Sequence, residues 1–104
     1  MNSILPMQGN RWRGVIHAYR RLLPVTARTP VVSLNEGNTP LIRVDNFVKT
    51  IGGEFELWLK YEAVNPTCSF KDRGMSVAVS LAKERAAQMV LCASTGNTAA
   101  SAAA

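Results

Sequence analysis

Lys71 is the residue of this chain best placed for covalent chemistry. It lies in the stretch Asn65-Pro66-Thr67-Cys68-Ser69-Phe70-Lys71-Asp72-Arg73-Gly74. Pro66 pushes Asn65 into an extended conformation. Ser69 can then cap a helix, with Asp72 three residues on to close a capping box. Lys71 falls in the first helical turn, among free backbone N–H groups and the positive end of the helix dipole. Arg73 adds a positive neighbour. Such surroundings favour a neutral amine, and a neutral amine is what a Schiff base with an aldehyde requires. Taken alone, the stretch also reads as a solvated lysine at a helix start.

A second stretch, Ser94-Thr95-Gly96-Asn97-Thr98, separates an apolar run from an alanine-rich one. A glycine-containing turn that leads into a helix is a natural anion site. Ser94, Thr95 and Thr98 add hydroxyls to it, and Asn97 adds an amide. By itself it is equally an ordinary strand-to-helix turn with Asn97 or Thr98 as N-cap. Other chemistries find no support. There is no phosphate-binding G-x-x-x-x-G-K-[ST] and no dinucleotide fingerprint. His17 is the single histidine; it has no evident catalytic or metal partner and reads as structural. Cys68 and Cys92 fit neither a zinc nor a C-x-x-C spacing.

These residues need elements to hold them. Trp12, Val15, Ile16, Tyr19, Leu22 and Leu23 recur at helical spacing and predict a helix over 12–23, stopped by Pro24. Val31–Leu34 and Leu41–Val44 read as short strands around the turn-rich Asn35-Glu36-Gly37-Asn38-Thr39-Pro40. A short helix over 46–51 ends at Gly52-Gly53. Phe55, Leu57, Leu59 and Tyr61 alternate with polar or amphipathic residues, the pattern of a strand. A helix follows from about Ser69 to Ala87, with Met75, Val79, Ala82 and Ala86 on one face and Val77, Ala78, Leu81 and Arg85 on others; apolar residues on more than one side imply burial against a sheet and a second element. Met89–Ala93 is a continuous apolar run, as in a strand covered on both faces. Strand, helix, strand and helix start predict an α/β fold: a parallel open sheet with flanking helices and a right-handed crossover. Ligands of such sheets bind beyond the carboxyl ends of the strands. Lys71 and the 94–98 turn are therefore expected on one rim. Residues 1–10, with Pro6 and Gly9, read as irregular. The run Ala99-Ala100-Ser101-Ala102-Ala103-Ala104 is strongly helix-forming and has no C-cap glycine. It predicts that residues 1–104 form a single incomplete domain.

The chain has 104 residues, 47% hydrophobic and 18% charged, a globular rather than disordered composition. No apolar run is long enough to span a bilayer. The first residues lack the charged start and apolar core of a signal peptide. Free thiols in a reducing cytoplasm are the expectation for the two cysteines. Net charge is +5, with Arg11, Arg13, Arg20 and Arg21 grouped near the N-terminus. No nucleic-acid motif accompanies them, so a solvated helix face is expected, with neither nucleic acid nor membrane as partner.

Thr67-Cys68-Ser69-Phe70-Lys71-Asp72-Arg73-Gly74, the earlier Glu36-Gly37-Asn38-Thr39-Pro40-Leu41 and the later Ser94-Thr95-Gly96-Asn97-Thr98 resemble the threonine synthase family. They occur in its order and approximate spacing, from about Gly14 onward. That family belongs to the fold-type-II pyridoxal-phosphate enzymes, which are tryptophan synthase β-like. The resemblance implies that Lys71 carries pyridoxal 5'-phosphate in a Schiff-base linkage and that Asn97 hydrogen-bonds the cofactor's ring hydroxyl. Ser94, Thr95, Gly96 and Thr98 would take the substrate's α-carboxylate. Phe70 and Asp72 would support, Arg73 would anchor structure, and the Glu36–Leu41 loop would lie near the site. The implied reaction converts O-phospho-L-homoserine and water to L-threonine and phosphate in the cytoplasm, in a protein that is a possible homodimer when full length. A serine/threonine dehydratase or a cysteate synthase of the same fold, or a non-catalytic remnant, are the alternatives. Cys68 departs from the family pattern, which usually has glycine there. If that position needs φ > 0, cysteine is strained. The family's glycine-rich phosphate loop and its partner for the pyridine nitrogen have no counterpart in these 104 residues. The isolated chain is therefore expected to be inactive.

Overall fold

In the computed structural model, residues 11–104 are described; the segment read as irregular, 1–10, lies outside them. Helix α1 spans Val15–Tyr19 and runs on into a single 3-10 turn, Arg20–Leu22. It is shorter than the periodicity of 12–23 predicts. Gly14, at φ 92°, sets its start. Trp12 is drawn off the helix axis, its indole N–H donating to the Glu36 carbonyl at 2.8 Å. Val15 and Ile16 are buried, whereas Tyr19 and Leu22 are exposed.

Strand β1, Leu41–Arg43, pairs antiparallel with β2, Trp58–Lys60, with Leu41 opposite Lys60 and Arg43 opposite Trp58. Helix α2, Asp45–Thr50, joins them one residue from its predicted position. The sequence predicts longer strands, but all six paired residues are exposed and no third strand extends the ladder among the described residues. Val31–Leu34 is not a strand. Val32 instead satisfies its N–H on Ser80 Oγ at 2.9 Å, a helix side chain doing what a neighbouring strand would otherwise do.

Helix α3, Lys71–Glu84, is the longest element, and α4, Asn97–Ala103, packs against it. The expected burial of apolar residues on more than one side of α3 is only partial: Met75, Val77, Val79, Leu81 and Ala82 are half-buried, and Ala78 and Ala86 are exposed. Asp72, Ser76 and Ser80 are the buried residues, at i, i+4 and i+8. Each is hydrogen-bonded: Asp72 accepts from Thr67 and Ser101, Ser76 donates to the Arg73 carbonyl, and Ser80 accepts from Val32. Met89–Ala93 has the composition of a doubly covered strand but pairs with nothing among the described residues. Met89, Val90 and Leu91 are 74%, 58% and 88% exposed. A strand pattern becomes a strand only when a ladder partner is present.

The architecture is therefore mixed helix and strand around a core more polar than apolar. Val15, Ile16 and Val48 are the buried hydrophobic residues among those described, against Glu36, Thr39, Asn65, Asp72 and a set of serines. The radius of gyration is 18.4 Å, compared with about 13 Å for a compact domain of this size. No helix among the described residues is long and apolar enough to cross a membrane.

Gly37 is where the loop geometry tolerates least. It stands at φ 91°, and a Cβ there would lie 2.7 Å from Cζ2 of Trp12. Gly37→Ala is expected to lower stability by about 1–3 kcal/mol. Gly74 is helical with open space where a Cβ would stand, so Gly74→Ala should raise stability by about 0.5–1 kcal/mol. Denaturant midpoints of the two variants against the parent chain decide both signs.

Candidate active site

The lysine loop is built from Asn65 outward. Asn65 leaves a 3-10 turn, Glu62–Val64, in the extended conformation that Pro66 imposes. Its side chain is buried and fully used. Nδ2 donates to the Glu62 carbonyl at 2.7 Å and to Glu62 Oε2 at 2.9 Å, while Oδ1 accepts the Gly37 N–H at 2.9 Å. Arg73 then grips the same carboxylate with two nitrogens, Nε to Oε2 at 2.7 Å and Nη2 to Oε1 at 2.8 Å. Thr39 Oγ1 donates to Glu62 Oε1 at 2.5 Å and accepts from Arg73 at 3.1 Å. The Asn35–Pro40 loop is thus bolted to the base of the lysine loop through Gly37 and Thr39. The hydrogen bond from Arg73 holds the Glu62 carboxyl down at about 2 against the opposing effect of burial, and Thr39 and Asn65 add to the lowering.

Cys68 closes the turn, its N–H donating to the Asn65 carbonyl at 2.8 Å. It stands at φ 61°, the left-handed region in which a side chain costs about 1–2 kcal/mol. The sequence expectation of strain at a position suited to glycine holds. Ser69 Oγ accepts the Lys71 N–H at 3.1 Å, so the expected hydroxyl serves the first N–H of α3, from one residue before the N-cap position, Phe70. Asp72 does not complete the box with Ser69. Its carboxylate turns back to Thr67, accepting from the backbone N–H at 2.8 Å and from Oγ1 at 2.5 Å, and across to Ser101 Oγ at 2.5 Å. Burial pushes the Asp72 carboxyl up, and the bonds from Ser101 and Thr67 together outweigh it, so the group is held below the ordinary range.

Ser101 belongs to α4, and the second motif is the turn that opens α4. Gly96 stands at φ 147°, ψ −64°, outside the reach of most side chains. Ser94 Oγ accepts the N–H groups of Gly96 at 2.9 Å and Ala99 at 3.1 Å. Ser94 is therefore the capping hydroxyl, in place of the Asn97 or Thr98 that the sequence suggests. Lys71, Ala93, Ser94, Thr95, Asn97 and Thr98 line one cavity of about 520 Å³. Of the residues that the resemblance assigns to cofactor or substrate, Gly96 alone does not line it; it shapes the turn instead. The Lys71 amine lies 4.6 Å from the centroid of the Phe70 ring. An amine, three hydroxyls and an amide around a space of this size suit a small polar aldehyde and a carboxylate.

The sequence did not point to Ser101, nor to the bonds that Thr67 and Glu36 make within the motifs they open. Ser101 is the polar residue in an otherwise alanine run, a signal open to reading. Glu36 has no accessible surface and accepts from Val15 N–H, Ser33 Oγ and Leu34 N–H at 2.8–2.9 Å. No local pattern marks that role, since its donors come from two separate segments.

Residues 32–104 match the family described as pyridoxal-phosphate dependent enzyme. The chain is 58% identical over 94 residues to a threonine synthase of Synechocystis, covering 90% of this chain and 25% of that protein. It is 53% identical over 95 residues to a threonine synthase of Halalkalibacterium halodurans, covering 91% and 26%. With a threonine synthase of Methanocaldococcus jannaschii the identity is 54% over 86 residues, covering 83% and 21%. The chain spans about a quarter of the length of these curated relatives.

Asp72→Asn is expected to weaken all three bonds to the carboxylate and lower stability by about 1–3 kcal/mol. Hydrogen exchange should rise first in α4, ahead of β1 and β2; equal protection in both regions would count against a clamp at Asp72. Glu62 sets a pH dependence. Its folded value of about 2 lies below the ordinary 4.5, so its stabilisation is complete above about 4.5 and is lost as pH falls toward 2. Glu62→Gln should flatten that limb of a stability–pH profile measured by denaturation.

Proposed function

Because the chain belongs to the pyridoxal-phosphate dependent enzyme family, we propose that it is the lysine-bearing part of a threonine synthase. The reaction is conversion of O-phospho-L-homoserine and water to L-threonine and phosphate. The observation that carries the reading is the shared cavity, in which Lys71 meets Ser94, Thr95, Asn97 and Thr98. The relatives of that name, similar over most of the chain, support it.

Lys71 would hold the cofactor through its amine, and Asn97 would hydrogen-bond the ring hydroxyl. Pyridoxal 5'-phosphate supplies an electron sink for charge developed on the substrate's carbons. Ser94, Thr95 and Thr98 would receive the α-carboxylate. Ser94 accepts two backbone N–H bonds, which leaves its own O–H free to donate. Gly96 contributes the backbone conformation that brings those hydroxyls round. The Lys71 amine would also be the group of this chain suited to holding or moving a proton beside the substrate's carbons. Ser69 and Asp72 fix the first turn of α3 and so the root of that side chain.

In this reading residues 1–104 belong to one incomplete enzyme domain. Its parallel open sheet with flanking helices would form around Met89–Ala93, whose exposed apolar side chains await neighbours on both faces. The substrate is a small molecule; the whole protein would be cytoplasmic, with a homodimer as its form, and would bind neither nucleic acid nor membrane. A serine/threonine dehydratase or cysteate synthase of the same fold is the second reading, and the names of the relatives stand against it.

The test is made on the protein that carries this chain. Phosphate release from O-phosphohomoserine is expected, and Lys71→Ala should reduce it by about 10²–10⁴-fold or more. Ammonia release from serine or threonine, without phosphate release from phosphohomoserine, would instead identify a dehydratase.

A further inference from the structure

Ser101 interrupts an alanine run in which a further alanine would be the better helix former. It is 5% exposed and donates its hydroxyl to Asp72 Oδ1 at 2.5 Å. Among the described residues, this is the one side-chain hydrogen bond that α4 makes with another element. A seven-residue helix is marginal by itself, so the placement of α4 depends on what fixes it to α3. Asp72 is a firm post for that purpose. Thr67 already holds it with a backbone N–H and a hydroxyl, and it directly follows Lys71 in the first turn of α3. At the other end of the bond, Ser101 follows Asn97 by four positions. Residues so spaced lie one above the other on one helix face. The path from Lys71 through Asp72 and Ser101 to Asn97 thus runs along two helix backbones and one hydrogen bond, and its two ends line the same cavity.

We infer that Ser101 is a positioning residue for Asn97: its hydroxyl, held by Asp72, sets where the Asn97 amide stands relative to the Lys71 amine. This rests on the proposed roles of Lys71 as the aldehyde-binding group and of Asn97 as the partner of the ring hydroxyl. Ser101 does not line the cavity; it acts through the placement of α4. The hydroxyl is needed for this, because a hydrogen bond fixes direction and apolar contact between two helices does not. Alanine at 101 would favour the helix and lose its anchor.

The test is a pH titration of the absorbance of bound pyridoxal 5'-phosphate, made on the protein that carries this chain. An amide that donates to the ring oxygen draws off negative charge that would otherwise hold a proton on the nitrogen linking lysine to cofactor. Displacing the amide therefore moves the midpoint up. Ser101→Ala should raise it by about 0.4–1 pH unit, the effect of weakening one hydrogen bond. Ser101→Thr keeps the hydroxyl, and its methyl has room in the cavity of about 60 Å³ beside Val32, Leu34 and Met75; it should keep the parent midpoint. Asn97→Ala should raise the midpoint at least as far as Ser101→Ala, and combining the two should raise it no further. A merely structural role lowers the fraction of protein that is loaded without moving the midpoint of that fraction. Where Ser101→Ala does not fold, Ser101→Cys, whose thiol donates weakly, takes its place with the same outcomes. Equal midpoints in Ser101→Ala and Ser101→Thr, or a further rise in the double variant, overturn the inference and leave the role of Asn97 standing. A midpoint that Asn97→Ala does not move removes that role, and a protein with no cofactor absorbance removes the role of Lys71; the inference goes with either.

Discussion

The arrangement depends most on the Asp72 carboxylate. Two oxygens, 1% exposed as a residue, take a backbone N–H and a hydroxyl from Thr67 on one side and the Ser101 hydroxyl on the other. Thr67 belongs to the lysine loop and Ser101 to the helix that carries the second motif. One charge thus joins the two segments that wall the cavity. A buried carboxylate is tolerated only when its lone pairs are satisfied. The chain is therefore driven to bring both donors to it, and in doing so it brings Lys71 and the 94–98 turn together. The neighbouring Glu62 works in the same way one layer away, tying Arg73, Asn65 and Thr39 into the base of the loop.

A core held by buried acids and serines differs from one held by apolar packing. Hydrogen bonds contribute about 0.5–1.5 kcal/mol each, more where a charge is involved, and they impose direction as well as energy. Hydrophobic burial is non-directional. The described residues bury few large apolar side chains and leave Phe47, Phe55, Trp58, Leu59 and Leu91 exposed. Directional bonds set the local geometry of the site, while the non-directional term that would close a domain is small here.

Much of the candidate site was legible in the sequence, because its signals are local. Pro66 sets the conformation of Asn65, the Ser69 hydroxyl serves the first N–H of α3, and the short spacing from Ser94 to Thr98 lets one turn gather several polar groups. The left-handed geometry at Cys68 followed from a family pattern in which glycine is usual. What was not legible is non-local. Asp72 had a plausible partner three residues away, and the stronger donors, Thr67 and Ser101, won because burial rewards complete satisfaction over a single local bond. The strands failed for a related reason. Alternation and apolar runs describe what a segment would do with a neighbour, and Val31–Leu34 and Met89–Ala93 have no strand neighbour among the described residues. Val32 found Ser80 on α3 instead. Helix α1 is where periodicity ran ahead of what the tertiary contacts hold.

The unpaired run Met89-Val90-Leu91-Cys92-Ala93 has a consequence for handling the chain. It presents open backbone donors and acceptors, apolar side chains and no charge, the combination that templates pairing between copies. Cys92 within it is a free, exposed thiol, so strands brought side by side become substrates for oxidative cross-linking. The colloidal behaviour of the chain is therefore set by a segment outside its polar core. Its shelf life in solution should depend more on protein concentration and reductant than on temperature.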